Sequence, residues 1–380
     1  MRVYFDNAAT TPLDKEVVET MMPFMLELYG NPSSIHHHGR EVKTAIEKAR
    51  KTIAELLNTS AAEIFFTSGG TEADNTAIRC CVQAHKIKHI ISSPIEHHAV
   101  LHCIEHIAKE KNIEVTYLST DEKGNIQLDE LKKLLDKNPH SLVSLMHANN
   151  EIGNLTSIDE VGEICTHYNA CFHSDTVQTM GHYTHDLQKL KLNFLVGSAH
   201  KFHGPKGVGF LYINKNTSIP PFIHGGAQER NMRGGTENVY GIIGLAKALE
   251  IAYRDMKAHQ LHIESLKKGM VDRIQELHAG INFNGESANL EKSLYTVLNV
   301  DLPESENNDL LLFNLDIKKI SASAGSACTS GSSIKSHVLS ALHPTSTRGA
   351  VRFSFSKYNT MEEIDYVVQV LASIYAKTVV

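Results

Sequence analysis

Three short segments place reactive or anion-binding residues directly after apolar runs that are typical of buried strands. In "FFTSGGTEADN" a strand-like run passes through Ser68, Gly69, Gly70 and Thr71 into a helical pattern. A helix that begins in this way directs free backbone N–H groups and the positive end of its dipole at an anion such as a phosphate. The alternative is an ordinary glycine turn in which Thr71 only caps the helix, and it is the better interpretation of this segment taken alone.

The other two segments supply a carboxylate and a lysine. "NACFHSDTVQ" ends a strand-like run at Asp175, and "LNFLVGSAHKFHGPKG" carries Ser198, His200 and Lys201 after the next one. Ligands of open α/β sheets bind outside the carboxyl ends of the strands, so these groups are expected at one edge. A lone lysine is usually a solvated surface residue. A phosphate cradle, a carboxylate and a lysine together match pyridoxal phosphate, which has a phosphate, a basic ring nitrogen and an aldehyde. Lys201 would bind the aldehyde, and Asp175 would keep the ring nitrogen protonated.

One cysteine, unlike the others, lies in a polar, loop-like segment. Cys328 lies in "SASAGSACTSGSS", residues 321–333, whose small polar residues bury little apolar surface and predict a mobile surface loop. A thiol there is either incidental or a nucleophile that has to move. The other cysteines fall in helix-like or strand-like patterns without CxxC spacing, which favours reduced thiols over a disulfide framework or a zinc site. They are Cys80, Cys81, Cys103, Cys165 and Cys171.

The elements that would position these residues follow an alternating pattern. Strand-like runs alternate with helical periodicity as far as residue 240, which predicts βαβ units and an α/β fold with a mainly parallel sheet. After a helical stretch over residues 241–280 the pattern changes to that of a smaller α+β unit. We therefore expect a large cofactor-binding domain over residues 15–258 and a small domain formed by residues 1–14 and 259–380, which carries the cysteine loop.

Composition excludes some classes of function. The 380 residues are 42% hydrophobic and 21% charged, with a formal net charge of −6. Lysine and arginine are dispersed, which argues against a nucleic-acid partner. Neither a signal peptide nor a membrane-spanning run is visible, so a soluble, cytoplasmic protein is expected. The histidines of "IHHHG", residues 36–38, rarely converge on one metal ion without further ligands, so no metal site is predicted.

Ten motifs, in order over essentially the whole chain, carry a resemblance to a known family. They are "YFDNAATTP", "GNPSSIHHHG", "TSGGTEADN", "EHHAV", "ANNEIG", "HSDTVQ", "SAHKFHGPKG", "GGAQERNMRGGTENV", "SAGSACTSGSS" and "VRFSFS". The sequence resembles the cysteine desulfurases of the iron–sulfur assembly and nitrogen-fixation type. The long serine-rich cysteine loop is similar to that of the first of the two groups of these enzymes. The resemblance implies a homodimeric pyridoxal-phosphate enzyme of fold type I in the class V aminotransferase group.

The resemblance also implies roles for individual cofactor-binding residues. Lys201 would bind the cofactor, Asp175 would pair with its ring nitrogen, Gln178 would donate a hydrogen bond to its phenolic oxygen, and His97 would stack on its ring. For His97 the alternative is a histidine at a helix N-terminus without a ligand, and His98 is a weaker candidate. The implied phosphate ligands are Gly70, Thr71, Ser198, His200 and, reaching over from the other subunit, Thr236.

Three further residues match groups near the substrate in that family. Asn150 would lie beside the cofactor and the substrate, and Arg352 and Asn31 would hold the substrate α-carboxylate, for which a planar guanidinium is well shaped. The alternatives are a structural salt bridge for Arg352 and an Asx-Pro turn for Asn31.

The implied reaction gives the cysteine loop a purpose. L-cysteine would become L-alanine, and its sulfur would pass to Cys328 as a persulfide and then to an acceptor or iron–sulfur scaffold protein. Two alternatives stay open. A selenocysteine or cysteine-sulfinate lyase, or a transaminase, would share Lys201 and Asp175 without needing Cys328. A non-catalytic scaffold for metal or an iron–sulfur cluster would need clustered cysteines and would leave Lys201 unused.

Overall fold

The computed structural model describes residues 1–277, 280–305, 308–324 and 336–375. Cys328 and most of the predicted cysteine loop lie outside these ranges. Within them, none of the helices is both long enough and apolar enough to cross a membrane.

A seven-stranded sheet forms the centre of the larger part of the molecule. Its strands are β2 (Ile64–Thr67), β3 (His89–Ser92), β4 (Glu114–Tyr117), β5 (Ser141–Ser144), β6 (Cys171–Asp175), β7 (Phe194–Ser198) and β8 (Gly209–Ile213). Their spatial order is β2-β8-β7-β6-β5-β3-β4, and only β8 runs antiparallel to its neighbours. The predicted mainly parallel sheet is confirmed.

Helices cover both faces of this sheet because its strands are apolar on both sides. Successive side chains of a strand point to opposite faces. Ile90 therefore packs with the helices on one face, and Ile91 belongs to the core on the other. The first face is covered by α3 (Gly70–His85) and α4 (His98–Lys111). The second is covered by α1 (Lys15–Leu26), α2 (His37–Leu56), α5 (Leu128–Lys137), α6 (Ile158–Tyr168) and the first half of α7 (Val239–Leu277).

The remaining elements build a second core of the α+β kind. Three antiparallel strands, in the order β12-β10-β9, are β9 (Asn282–Phe283), β10 (Val297–Leu302) and β12 (Gly349–Ser354). A short parallel pair joins β1 (Val3–Tyr4) to β11 (Ile320–Ser321). The helices of this part are α8 (Leu311–Ile317) and α10 (Met361–Tyr375), whereas α9 (His337–Leu342) packs Val338 against Ile95 and Ile152 in a separate small cluster.

The long helix α7 contributes to both cores. Leu249 packs in the core under the seven-stranded sheet, and Ile263 and Met270 pack in the second core. The predicted domain boundary between residues 258 and 259 therefore falls inside one continuous helix. The division into two domains stays a prediction.

Candidate active site

A cavity of about 220 Å³ lies where the carboxyl ends of β6 and β7 meet the N-terminus of α3. Asp175 is the last residue of β6, Ser198 is the last of β7, and Lys201 follows within one turn. Most of the residues that the sequence singles out line this cavity. They are Gly70, Thr71, His97, Asn150, Asp175, Gln178, Ser198, His200, Lys201 and Arg352.

One end of the cavity is suited to an anion. Gly69 precedes α3 with a φ of 154°, a conformation that favours glycine, and provides no side-chain cap. The first N–H groups of α3 therefore have no partner within the helix. A Cβ on Gly70 would lie 2.8 Å from Val177 Cγ2, so a larger residue here would have to displace the Val177 side chain. The hydroxyls of Thr71 and Ser198 belong to the same wall of the cavity. Together with the N–H groups of α3, they form a set of hydrogen-bond donors suited to a phosphate.

The N-terminal segment of the chain closes the cavity beside the lysine. Lys201 Nζ donates hydrogen bonds to the carbonyl oxygens of Ala8, at 2.5 Å, and Ala9, at 3.0 Å. Gln178 Nε2 also donates to the Ala8 carbonyl, at 3.1 Å. No sequence pattern predicts these contacts of Ala8 and Ala9, because both residues accept through backbone carbonyls, which every residue type carries.

Asp175 is part of a buried acidic arrangement. Its Oδ1 accepts a hydrogen bond from the Val177 N–H at 2.9 Å, and burial raises the pKa of its carboxyl. Asp74, which also lines the cavity, has its Oδ1 3.2 Å from His173 Nε2. Burial and the nearby charge of Asp175 raise the pKa of Asp74 well above its usual range, and burial lowers the pKa of His173 to about 3. Two buried carboxyls that interact do not ionise together, so a protonated Asp74 leaves Asp175 as the anion.

His97 has two structural functions at once. It is the N-cap of α4, where its Nδ1 accepts a hydrogen bond from the Ala99 N–H at 3.1 Å, and it lines the cavity. Burial, with the charge of Lys201, lowers the pKa of His97 to about 4. The ring is therefore neutral at pH 7. His97 therefore lies at a helix N-terminus, as the alternative interpretation holds. Its contact with a cofactor stays a prediction.

Arg352 is a buried guanidinium at the wall of the cavity. Its Nη2 donates to Asp6 Oδ1 at 2.8 Å, and its Nη1 donates to the Asn150 carbonyl at 2.9 Å. The structural salt bridge considered as an alternative is therefore present. Its buried Nε has no hydrogen-bond partner among the described residues, so this N–H group is available to donate to a ligand in the cavity.

The other predicted site residues do not line this cavity. Asn31 is exposed, and its side-chain oxygen accepts a hydrogen bond from the Ser33 N–H at 2.9 Å, as in an Asx turn. Thr236 borders a separate cavity of about 140 Å³ with Ser68 and Gly207. Cys328 lies outside the described residues. The predicted ligand roles of Asn31 and Thr236 stay predictions.

Comparisons with known proteins agree with this geometry. The model of the family "Aminotransferase class-V" matches residues 3–367. A cysteine desulfurase IscS from Dictyoglomus turgidum is 46% identical over 99% of this chain and 95% of its own length. A solved structure described as a NifS-like protein superimposes with a TM-score of 0.90 at 39% identity, covering 99% of this chain and all of the other. A structure of SspA in complex with cysteine has a TM-score of 0.80 at 29% identity, over 95% of this chain and all of that one. The chain belongs to the class V aminotransferase family and, within it, to the cysteine desulfurases.

Proposed function

We propose that this chain uses pyridoxal phosphate to convert L-cysteine to L-alanine, and that it transfers the substrate sulfur to Cys328 as a persulfide. The observation that carries the proposal is the single cavity that Lys201, Asp175 and the N-terminus of α3 share. The SspA neighbour is in complex with cysteine, which supports L-cysteine as the substrate. We further propose that an acceptor protein of iron–sulfur cluster assembly takes the sulfur.

The residues of the cavity fit the cofactor. Class V aminotransferases depend on pyridoxal phosphate. The phosphate would lie against the N-terminus of α3 with the hydroxyls of Thr71 and Ser198, and Asp175 would hold the ring nitrogen. Lys201 would bind the aldehyde, with Gln178 and His97 beside the ring. When bound, the cofactor supplies an electron sink that weakens the bonds at the substrate α-carbon.

The chain itself supplies the remaining groups. The amine of Lys201 would take the proton from the substrate α-carbon and return it, and Arg352 would hold the α-carboxylate. The thiolate of Cys328 would attack the substrate sulfur. One C–S bond breaks, one S–S bond forms, and the β-carbon takes up a proton. Cysteine and a thiol thus give alanine and a persulfide without an external oxidant.

We also propose that the active unit is a homodimer. Several large apolar side chains on α1 and in the segment after it are exposed, which is typical of an interaction surface. They are Met22, Met25, Leu26, Tyr29 and Ile35. Thr236, which does not border the cavity of Lys201 in its own chain, would then serve the phosphate of the partner subunit.

The lysine assignment can be tested directly. The protein is loaded with pyridoxal phosphate, reduced with borohydride and digested, and the labelled peptide is identified by mass spectrometry. We expect the label on Lys201, and we expect Lys201→Ala to lose both the visible absorption and the formation of alanine from L-cysteine. Lys206→Ala is the matched control because Lys206 is exposed in the same segment. A label on another lysine would overturn the assignment.

A further inference from the structure

A second group of chemically reactive side chains lies at the opposite end of β6 from Asp175. Cys171 begins this strand, and Cys81 and His85 lie one turn apart near the end of α3. We propose that Cys81, His85 and Cys171 bind a thiophilic divalent cation, Zn²⁺, with water as the fourth ligand. The proposal does not depend on the proposed function, because none of these residues lines the cavity of Lys201.

The three ligand atoms are already close together. The sulfur atoms of Cys81 and Cys171 and a ring nitrogen of His85 all lie within 4.8 Å of one another. Residues four apart on a helix share one face, so Cys81 and His85 present their ligand atoms to the same side. Tetrahedral Zn²⁺ with sulfur at 2.3 Å and nitrogen at 2.0–2.1 Å separates its ligand atoms by about 3.5–3.8 Å. Only small side-chain movements are needed to reach that geometry.

The donor set is that of a soft metal site. Both cysteines are free thiols, and their sulfur atoms lie within 4.8 Å of each other. Thiolate and imidazole ligands favour Zn²⁺ over Mg²⁺ or Ca²⁺. The second group of possible ligands among the described residues, His37, His38 and Glu41, is fully exposed and has no thiol. It is the poorer candidate.

Charge and access also fit a bound cation. Cys81 is completely buried, among apolar residues of α3, α4 and the sheet. Burying a net charge there would be costly, but two thiolates neutralise one Zn²⁺. His85 is exposed, so an ion can enter from solvent and keep a water ligand on that side. Binding releases the thiol protons, so affinity should rise with pH.

The site would tie together two elements that also build the cavity. Helix α3 carries Gly70 and Thr71 at its other end, and β6 carries Asp175 four residues beyond Cys171. At about 3.3 Å per residue, Cys171 lies about 13 Å from Asp175 along the strand. The metal would stabilise the position of α3 on the sheet without touching substrate, so its role is structural.

The test uses the reduced holoenzyme and Co²⁺ as a spectroscopic probe. Cobalt in a tetrahedral site with thiolate ligands absorbs strongly at wavelengths well above the cofactor bands. We expect these bands to saturate at one equivalent of Co²⁺ and to disappear when Zn²⁺ is added. Cys171→Ala should abolish them. His85→Ala removes a direct ligand, so it should weaken the affinity for Co²⁺ at least as much as losing an outer-shell partner does, which is roughly ten- to a hundredfold. Because His85 is exposed, this variant should fold normally.

Two matched controls separate the site from other thiols and histidines. Cys80→Ala removes the neighbouring buried thiol of the same helix, and His37→Ala disrupts the exposed group on α2; both should bind Co²⁺ like the wild type. The proposal is overturned if the wild-type protein shows no tetrahedral bands at one equivalent. It is also overturned if the bands survive Cys171→Ala or are lost in His37→Ala.

Discussion

At the scale of single residues, the chemistry depends on which buried carboxyl carries the negative charge. Asp175 and Asp74 both border the cavity, and burial raises the pKa of each. Asp74 faces His173 at 3.2 Å, and Lys201 lowers the pKa of Asp175 in opposition to burial. Asp175 is therefore the carboxyl that keeps the negative charge, as its proposed role beside a protonated ring requires.

Asp175→Asn tests this role. The amide cannot carry the charge, so we expect kcat for alanine formation to fall roughly a hundredfold or more, the scale of losing one preorganised electrostatic partner. Asp186→Asn is the control, because Asp186 is an aspartate outside the cavity. Steady-state kinetics with a measurement of bound cofactor separates lost catalysis from lost binding. A variant with wild-type kcat would contradict the assignment.

Arg352→Lys tests recognition of the substrate carboxylate. Lysine keeps the charge but loses the planar pair of donors, so we expect KM for L-cysteine to rise about tenfold with a smaller effect on kcat. Arg348→Lys is the control in the same region, where Arg348 pairs with Asp301 outside the cavity. An unchanged KM for Arg352→Lys would show that Arg352 only bridges Asp6 and Asn150.

At the scale of elements, a buried ion pair joins α2 to the segment that leads to Thr236. Arg50 donates two hydrogen bonds of 2.7 Å to the carboxylate of Glu229, and both side chains are almost fully buried. Glu229 also accepts from the Phe66 N–H at 2.8 Å. Glu229 has a positive φ of 44°, so these contacts hold a backbone conformation that most residues avoid.

Arg50→Ala should therefore destabilise the fold. It leaves the carboxylate of Glu229 buried without its cation, and we expect the free energy of unfolding to fall by about 3–5 kcal/mol. Lys51→Ala is the control, because Lys51 makes an exposed pair with Glu55 that contributes at most about 0.5 kcal/mol. Urea denaturation of both variants gives the comparison. Equal effects would contradict the account of this pair.

The sequence predicts the strands and the helix that build the site better than it predicts how the N-terminal segment closes the cavity beside Lys201. The carboxyl ends of β6 and β7 and the start of α3 follow from local patterns, and they deliver Asp175, Ser198 and Thr71 as expected. The contacts of Lys201 with the Ala8 carbonyl depend on tertiary packing between distant segments, which no local pattern encodes. Asp74 lies three residues after Thr71 on the same helix. This spacing puts both side chains on one face of the helix, so the sequence did contain a signal that Asp74 borders the site.

At the scale of the whole molecule, many histidines are held neutral. Their pKa values, lowered chiefly by burial, are about 4 or about 3. They are His97, His147, His173, His182, His185, His200 and His203. An unfolded chain protonates histidine near pH 6.5, and the folded chain does so only below about pH 4. The unfolded state therefore binds more protons in this window, and stability should fall as the pH drops from 6.5 to 4.

Buried carboxyls with raised pKa values change the stability in the opposite direction as the pH falls, but they are fewer than these histidines. Burial raises the pKa of Glu96 to about 8, and the pKa values of Asp74 and Asp175 are also raised, so these groups disfavour the folded state as the pH rises. We expect the histidines to dominate, and the melting temperature at pH 5.5 to be lower than at pH 7.5 at the same ionic strength. Each additional proton that the unfolded state binds changes the free energy of unfolding by about 1.4 kcal/mol per pH unit. An equal or higher melting temperature at pH 5.5 would contradict this balance.

The most direct test of the central claim compares the wild type with Cys328→Ala. Each protein is loaded with pyridoxal phosphate and incubated anaerobically with L-cysteine and a reductant, while alanine, sulfide and the visible absorption of the cofactor are followed. We expect equal amounts of alanine and sulfide from the wild type. We expect the variant to keep the cofactor absorption and to produce neither alanine nor sulfide. If the variant forms both products at the wild-type rate, Cys328 is not the sulfur acceptor and the proposed transfer is wrong.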